Sequence, residues 1–266
     1  MTTLLRIVPP GMYARRAHVL MERAVRVYRS TWLIVLTGFF EPLFYLFSFG
    51  TGLKTLVGTV SGPGGHQISY AAFIAPALLA ASAMNGAIYD STMNVFFKIK
   101  YAKLYDSMLA TSLGPLDVAI GEISWALLRG GLYSAGFLIV MLALGLTASA
   151  WAVLLLPAAL LVAFGFAAVG MAVTSYLKSF QDLEIVQLIV LPMFLFSGTF
   201  YSVSVYPAWL RVIVECLPLN HAIELLRSLN AGVFDLALLG HVAYFAVMAA
   251  VGVTIAARRL DRLLLR

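Results

Sequence analysis

The sequence predicts an all-α integral membrane protein. Its expected parts are six transmembrane helices, an N-terminal amphipathic interfacial helix, and an external re-entrant segment between spans 5 and 6. Three observations lead there. Hydrophobic residues make up 62% of the 266, and charged residues only 11%, where soluble domains carry about 25%. The mean hydropathy is +0.94, more apolar surface than one core can hide. Five apolar segments reach the roughly 20 residues that a helix needs to cross the hydrocarbon: Trp32–Leu53, Ile68–Phe97, Ile123–Leu146, Ala150–Leu177 and Leu236–Ala257.

The chain opens on "MTTLLRIVPPGMYARR", which lacks the compact apolar block and small-residue cleavage site of a secretory signal. The first hydrophobic segment is therefore expected to stay as an anchor. Before it, residues 13–29 sort on a helical wheel. Arg15, Arg16, Glu22, Arg23, Arg26 and Arg29 take one side; Tyr13, Ala17, Leu20, Met21, Ala24, Val27 and Tyr28 take the other. That pattern predicts a helix over about 12–30 lying flat on the membrane. Its role is either an electrostatic anchor or a dock for a cytoplasmic partner.

The first span holds Glu41 beside Pro42. A charge at the bilayer centre costs about 2.5–3.5 kcal/mol, whereas each flanking apolar residue returns only about 0.3–0.6 kcal/mol. Pro42 has no amide to offer the carbonyl of Gly38, which loosens that turn. Together they read as a hinge with a polar contact beside it. The second span carries Asn85 and Asp90, and the third is preceded by Glu122 and contains Arg129. Such charges turn toward protein or water and are functional candidates by default; the plain alternative is a buried pair that fixes helix packing. Glu122 and Arg129 share a face two turns apart, too far for close contact. Arg129 is left to meet Glu41 or Asp90 from a neighbouring helix, and Asp90, near a span end, has headgroup water as its alternative.

Between spans 2 and 3 lies "FKIKYAKLYDSMLATSLGPLD". It predicts a brief amphipathic helix whose apolar face has nothing of its own chain to pack on. Such a face suits a partner, or rests on lipid. The sixth apolar stretch, Ile185–Phe200, is short and carries Pro192. The following residues 201–227 hold Arg211, Glu215, Glu224 and Arg227, so they cannot cross as lipid-exposed helix and are expected at the interface or re-entering.

Charge sets the parity. Cytoplasmic flanks collect Lys and Arg, and both ends are basic, so both termini are expected inside a plasma (inner) membrane with an even number of crossings. Six spans put fourteen of the eighteen basic residues on that side. The net charge of +6 then faces anionic headgroups, and no nucleic-acid partner is needed. A single cysteine, Cys216, excludes an internal disulfide. His18, His66, His221 and His241 are scattered without metal-ligand spacing. "GTGLKT" only faintly echoes a phosphate loop, lacking the glycine before the lysine. No catalytic residue, metal site or cofactor is expected on this chain.

Three stretches carry a resemblance: "FFEPLFYLFSFGTGL", "AMNGAIYDSTMNVFFKIKYAKLYDSMLATSLGPLDVAIGE" and "LPMFLFSGTFYSVSVYPAWLRVIVECLPLNHAIELLR". In that order, from about Trp32 to the C-terminus, they resemble ABC-2 type transporter permeases, in the branch exporting nodulation lipo-oligosaccharides and daunorubicin. The resemblance implies an ATP-driven exporter of amphipathic or lipid-like substrates. It implies two permease subunits over two ATPase subunits, with ATP and Mg held by the ATPase partner. By similarity, Arg15, Arg23 and Arg26 would lie on a connecting helix seated on the ATPase. Lys98, Lys100, Tyr101, Lys103, Leu104, Tyr105 and Asp106 would belong to a coupling helix over 98–108. Glu41, Pro42, Asn85, Asp90, Glu122 and Arg129 would be intramembrane polar or path residues. Phe194, Phe196, Phe200 and Tyr201 would form an external gate, or else plain packing. Two rivals remain. An ion-coupled transporter would use Glu41, Asp90 and Arg129 as a relay, but should show two similar halves. A lipid-modifying enzyme would need clustered acids or histidines at one membrane face.

Overall fold

The computed structural model describes residues 17–28, 32–109 and 113–264. Arg15 and the side chain of Asp106 lie outside the described part, as do the ends of the expected 12–30 helix. Within the described residues the chain is helical apart from one small hairpin. Helix α1 is Ala17–Tyr28, α2 Trp32–Gly52 and α3 the short Lys54–Val57; strands β1 (Thr59–Ser61) and β2 (Gln67–Ser69) pair antiparallel. Then come α4 (Tyr70–Tyr89), a π-helical turn at Asp90–Asn94, α5 (Val95–Lys100) and α6 (Leu104–Leu109). The remainder is α7 (Pro115–Ala143), α8 (Leu155–Thr174) after a 3₁₀ turn at Ala150–Leu154, α9 (Asp182–Phe196), α10 (Ala208–Glu215), α11 (Pro218–Ala231) and α12 (Leu236–Leu264).

Four helices among the described residues are long and apolar enough to cross a membrane: Tyr70–Lys100, Pro115–Ala143, Ala150–Thr174 and Leu236–Leu263. Helix α2, at 21 residues, is about 31 Å long at 1.5 Å per residue. Helix α9 departs from the expected fifth span, Ile185–Phe200. It has 15 residues, about 22 Å, against a hydrocarbon core of about 30 Å. It stops at Phe196 because the chain turns there: the Thr199 hydroxyl donates to the carbonyl of Phe194, and the Asn220 amide donates to that of Ser197. The third span also begins earlier than expected, at Pro115. Proline suits the first helical position, where no amide partner is needed, and the Asp117 carboxylate accepts from the Gly114 amide. The hairpin before α4 has no counterpart in the sequence reading.

Helix α4 is the axis of the bundle. Ile74, Ala75, Ala77, Leu78, Leu79, Ala80, Ala83, Met84 and Ala87 are completely buried, and α2, α7, α8 and α11 all pack on it. Its many alanines let those neighbours approach without charge or bulk, the way membrane helices associate. Helix α12 leans chiefly on α8. A Cβ on Gly252 would stand 2.6 Å from the backbone carbonyl carbon of Ala168, so only glycine allows that approach. Large apolar residues left outside, such as Leu188, Ile189 and Leu239, suit lipid better than water.

Candidate functional site

The site is built where α7 meets the continuous rod of α4, π-turn and α5. A π-turn inserts one residue into a helix and is frequently found at functional positions. Here Thr92 and Ser91 donate back to the carbonyl of Ile88, and the carbonyl of Ser91 accepts from the Thr174 hydroxyl on α8. The backbone loosened by the turn is thus satisfied by side chains.

Two ion pairs join the helices across this turn. Arg129 of α7 lies 3.5 Å from Asp90, and Lys98 of α5 lies 2.6 Å from Glu122. Asp90 and Lys98 are eight residues apart on one rod, Glu122 and Arg129 seven apart on an antiparallel one, so the pairs stack. Asp90 is therefore buried at 2% exposure, not in headgroup water. The Arg129 Nε donates to the Tyr133 hydroxyl at 2.8 Å, and its guanidinium lies over the rings of Tyr28, Tyr89 and Tyr133. The Asn94 amide donates to Asp90 Oδ1 at 2.6 Å and to the Tyr28 hydroxyl at 2.8 Å. Tyr28 itself stacks on Trp125 with centroids 4.9 Å apart. One polar chain, Tyr28–Asn94–Asp90–Arg129–Tyr133, so runs from helix α1 into the middle of α7.

That chain ends at a cavity. It measures about 320 Å³ and is bounded by Glu41 and Tyr45 of α2, Asn85 and Tyr89 of α4, Arg129 and Tyr133 of α7, and Gln187 and Phe194 of α9. Glu41 is exposed at its edge and Pro42 is buried behind it. Four of the six intramembrane residues singled out from the sequence, Glu41, Asn85, Asp90 and Arg129, thus gather at or against one cavity. Pro42 sits one residue behind its wall, and Glu122 sits one ion pair away. The sequence pattern assigned no site role to Tyr28, Tyr89, Asn94, Tyr133 or Gln187, none of which carries a charge to mark it.

The aromatic quartet splits. Phe194 and Phe200 pack with Tyr45 and Phe49 of α2, at centroid distances of 4.8–6.1 Å. Phe196 and Tyr201 instead surround Tyr206, which donates to the carbonyl of Phe196. Burial pushes the Tyr206 hydroxyl above the ordinary phenol range, helped by the Tyr201 hydroxyl 2.9 Å away. Below the turn, Arg227 on α11 is 5% exposed and donates to the carbonyls of Phe73 and Gly198, tying this end of the bundle to α4.

The basic segment after α5 corrects one expectation. Its apolar face is not uncovered: Tyr105 is fully buried, and Leu104 and Met108 pack against the core, with α12 alongside α6. Lys98 is held by Glu122 as well. What stays exposed is Lys100, Tyr101 and Lys103. Lys103 adopts φ +44°, a left-handed turn that costs a non-glycine residue about 1–2 kcal/mol and aims the chain from α5 into α6. On α1, Arg23 and Arg26 are exposed, and Arg26 pairs with Glu22 at 3.5 Å. The histidines are less scattered than the sequence suggested. His221 and His241 stand Nδ1 to Nδ1 at 2.8 Å, yet no group of three or more possible metal ligands exists among the described residues.

Residues 16–230 match the model of the ABC-2 type transporter family. The chain belongs to that family. The permease is similar to the nodulation protein J of Rhizobium leguminosarum bv. trifolii, at 35% identity over 195 residues, 72% of each chain. It is 34% identical to the counterpart of R. leguminosarum bv. viciae, over 72% of this chain and 73% of that one. The Rhizobium meliloti (strain 1021) protein is 31% identical over 72% of both. The permease is a transporter membrane subunit, not a catalytic enzyme.

Proposed function

We propose that the permease is one half of the membrane conduit of an ATP-driven exporter. In this reading a second permease subunit and two ATPase subunits complete the machine, and ATP and Mg reside on the ATPases. The subunit lies in the inner membrane with both termini cytoplasmic, and its cargo is amphipathic or lipid-like. The observation that carries the reading is the open cavity between α2, α4, α7 and α9. It offers polar groups (Glu41, Asn85, Gln187) beside aromatic and aliphatic ones (Tyr45, Val190, Phe194), the mix that an amphipathic molecule needs.

Two features support a second permease. Helix α9 has only Leu183, Met193 and Phe194 buried and is too short to span unaided. Phe40, Phe44 and Phe47 stand exposed on α2, the helix that carries the cavity residues Glu41 and Tyr45, so a second permease subunit, an identical copy or a related chain, would cover both and close the conduit. The ring cluster of Phe194 and Phe200 on Tyr45 and Phe49 is then the constriction on the external side, beyond which the segment 201–227 folds back.

Energy enters at the opposite end. Closing of the ATPase pair presses on Lys100, Tyr101 and Lys103 and on the basic face of α1. Because Tyr28 of α1 is bonded through Asn94 to Asp90, a displacement of α1 reaches the Asp90–Arg129 pair at the cavity wall. An ion-driven relay finds less support. Of its three residues, Asp90 and Arg129 are paired with each other through Asp90 Oδ1, which also accepts from Asn94, and Glu41 alone of the three stands exposed at the cavity edge.

The test is co-purification with a co-expressed partner ABC ATPase. The wild-type permease is expected to retain the ATPase, and Lys100→Glu with Lys103→Glu to lose most of it while eluting at the wild-type volume. Undiminished retention by the double variant would remove the coupling assignment.

A further inference from the structure

A second, smaller cavity lies on the other side of Tyr28, between α1, the α5 end of the rod and α7. It is about 90 Å³, and Leu20, Arg23, Tyr28, Asn94, Lys98, Glu122 and Trp125 are among its walls. It exists because α1 is held close to α7: a Cβ on Gly121 would come within 2.8 Å of Leu20 Cβ. At about 30 Å³ per water, it has room for a small tetrahedral group.

Its lining has more donors than its acceptors, the Glu122 carboxylate and the Asn94 amide oxygen, can take. The Trp125 indole N–H is buried without a hydrogen-bond partner, although indole N–H groups usually find one when buried. The Lys98 ammonium spends one of its three protons on Glu122. The Tyr28 hydroxyl accepts from Asn94 and keeps its own proton to give. No salt bridge of Arg23 exists among the described residues, while Arg26, one turn on, is paired with Glu22. Arg23 and Lys98 against Glu122 leave one net positive charge. A group with several acceptor oxygens and a single negative charge matches this surplus of donors and this net charge. Helix α1, with its basic face and apolar underside, sits at headgroup depth on the membrane reading.

We propose that this cavity is a binding site for the phosphodiester of an anionic lipid headgroup. Arg23 and Lys98 supply charge-assisted hydrogen bonds, and Trp125 and Tyr28 supply neutral ones. The lipid would fasten α1 to α7 at the point where the polar chain toward Arg129 begins. This does not depend on what the permease transports.

The experiment uses the full chain in detergent with Trp32, Trp151 and Trp209 replaced by phenylalanine, so that fluorescence reports Trp125. Phosphatidylglycerol is expected to change the emission saturably, and phosphatidylcholine at equal mole fraction is not. Arg23→Gln, an exposed position that leaves folding intact, should raise the half-saturation concentration about tenfold, the loss of one charged hydrogen bond. Arg26→Gln should leave it unchanged. As a second readout, phosphatidylglycerol should raise the melting midpoint of the wild type and not that of Trp125→Phe. Equal responses to the two lipids, or an Arg23→Gln curve that overlays the wild type, would overturn the site. A saturable response to inorganic phosphate matching that to phosphatidylglycerol would overturn the lipid as its occupant.

Discussion

At the scale of single residues, the account turns on Asp90 and Arg129, which are 2% and 4% exposed in a helix bundle with little water to repay them. Removing one partner of a buried pair leaves an uncompensated charge and costs about 3–5 kcal/mol, whereas replacing both is often nearly neutral. Asp90→Asn is therefore expected to lower unfolding stability in detergent by about 3 kcal/mol, and Asp90→Asn with Arg129→Gln to recover most of it. Chemical denaturation followed by circular dichroism measures both. A single variant as stable as the wild type would show that the pair is not formed. The four charges inside or beside the spans were visible in the sequence because charge in an apolar run is conspicuous. Their partners were not. Periodicity on one helix cannot say which residue of another helix faces it, so Arg129 was left between Glu41 and Asp90, and Glu122 was matched with nothing.

At the scale of elements, two predictions follow from local geometry. Gly252→Val would drive a side chain into the backbone of Ala168 and part α8 from α12, with overpacking that costs about 1–3 kcal/mol. Gly240→Ala, on the same helix with nothing within 4 Å, should be neutral or slightly stabilising, because alanine is the better helix former. Paired melting curves of the two variants make that comparison. The start of α9 gives a pH dependence. The Asp182 carboxylate accepts from the backbone amides of Lys178 and Ser179, and these bonds hold its pKa below the ordinary carboxylate value, with the Ser179 hydroxyl adding to them. A depressed folded pKa contributes stability that is fully present above the ordinary value near 4 and is lost as pH falls through the folded one. Amide exchange at Lys178 and Ser179 should thus be protected at pH 6 and lose that protection at low pH, and Asp182→Ala should lose it at every pH. Element starts and stops were the poorest part of the sequence reading for the same kind of reason. Pro115 and Asp117 extend α7 backward, and the bonds of Thr199 and Asn220 cut α9 short. Each is a specific hydrogen bond or cap that hydropathy does not register.

At the scale of the whole molecule, the solvent was the legible part. A chain with 62% hydrophobic residues and basic flanks has to place its long apolar helices in lipid, and four of the six expected spans appear among the described residues as helices long and apolar enough to cross a membrane. The inner arrangement was not legible, since nothing in composition says that α4 is the axis or that α6 folds its apolar face back under α12. Nor does an open cavity walled by α2 and α9 show in any hydropathy trace, because it depends on how four helices splay. What this architecture holds is a cavity between α2, α4, α7 and α9 and an exposed basic edge at Lys100 and Lys103, and no group of three or more possible metal ligands among the described residues. The central claim is that its work is driven from outside the chain. The most direct measurement places the purified permease in liposomes, with and without a partner ABC ATPase, and follows transfer of a fluorescent amphipathic lipid across the bilayer. Transfer that needs the ATPase and ATP, and that stops with vanadate, is the predicted result. Uphill transfer by the permease alone on a proton or sodium gradient would contradict it.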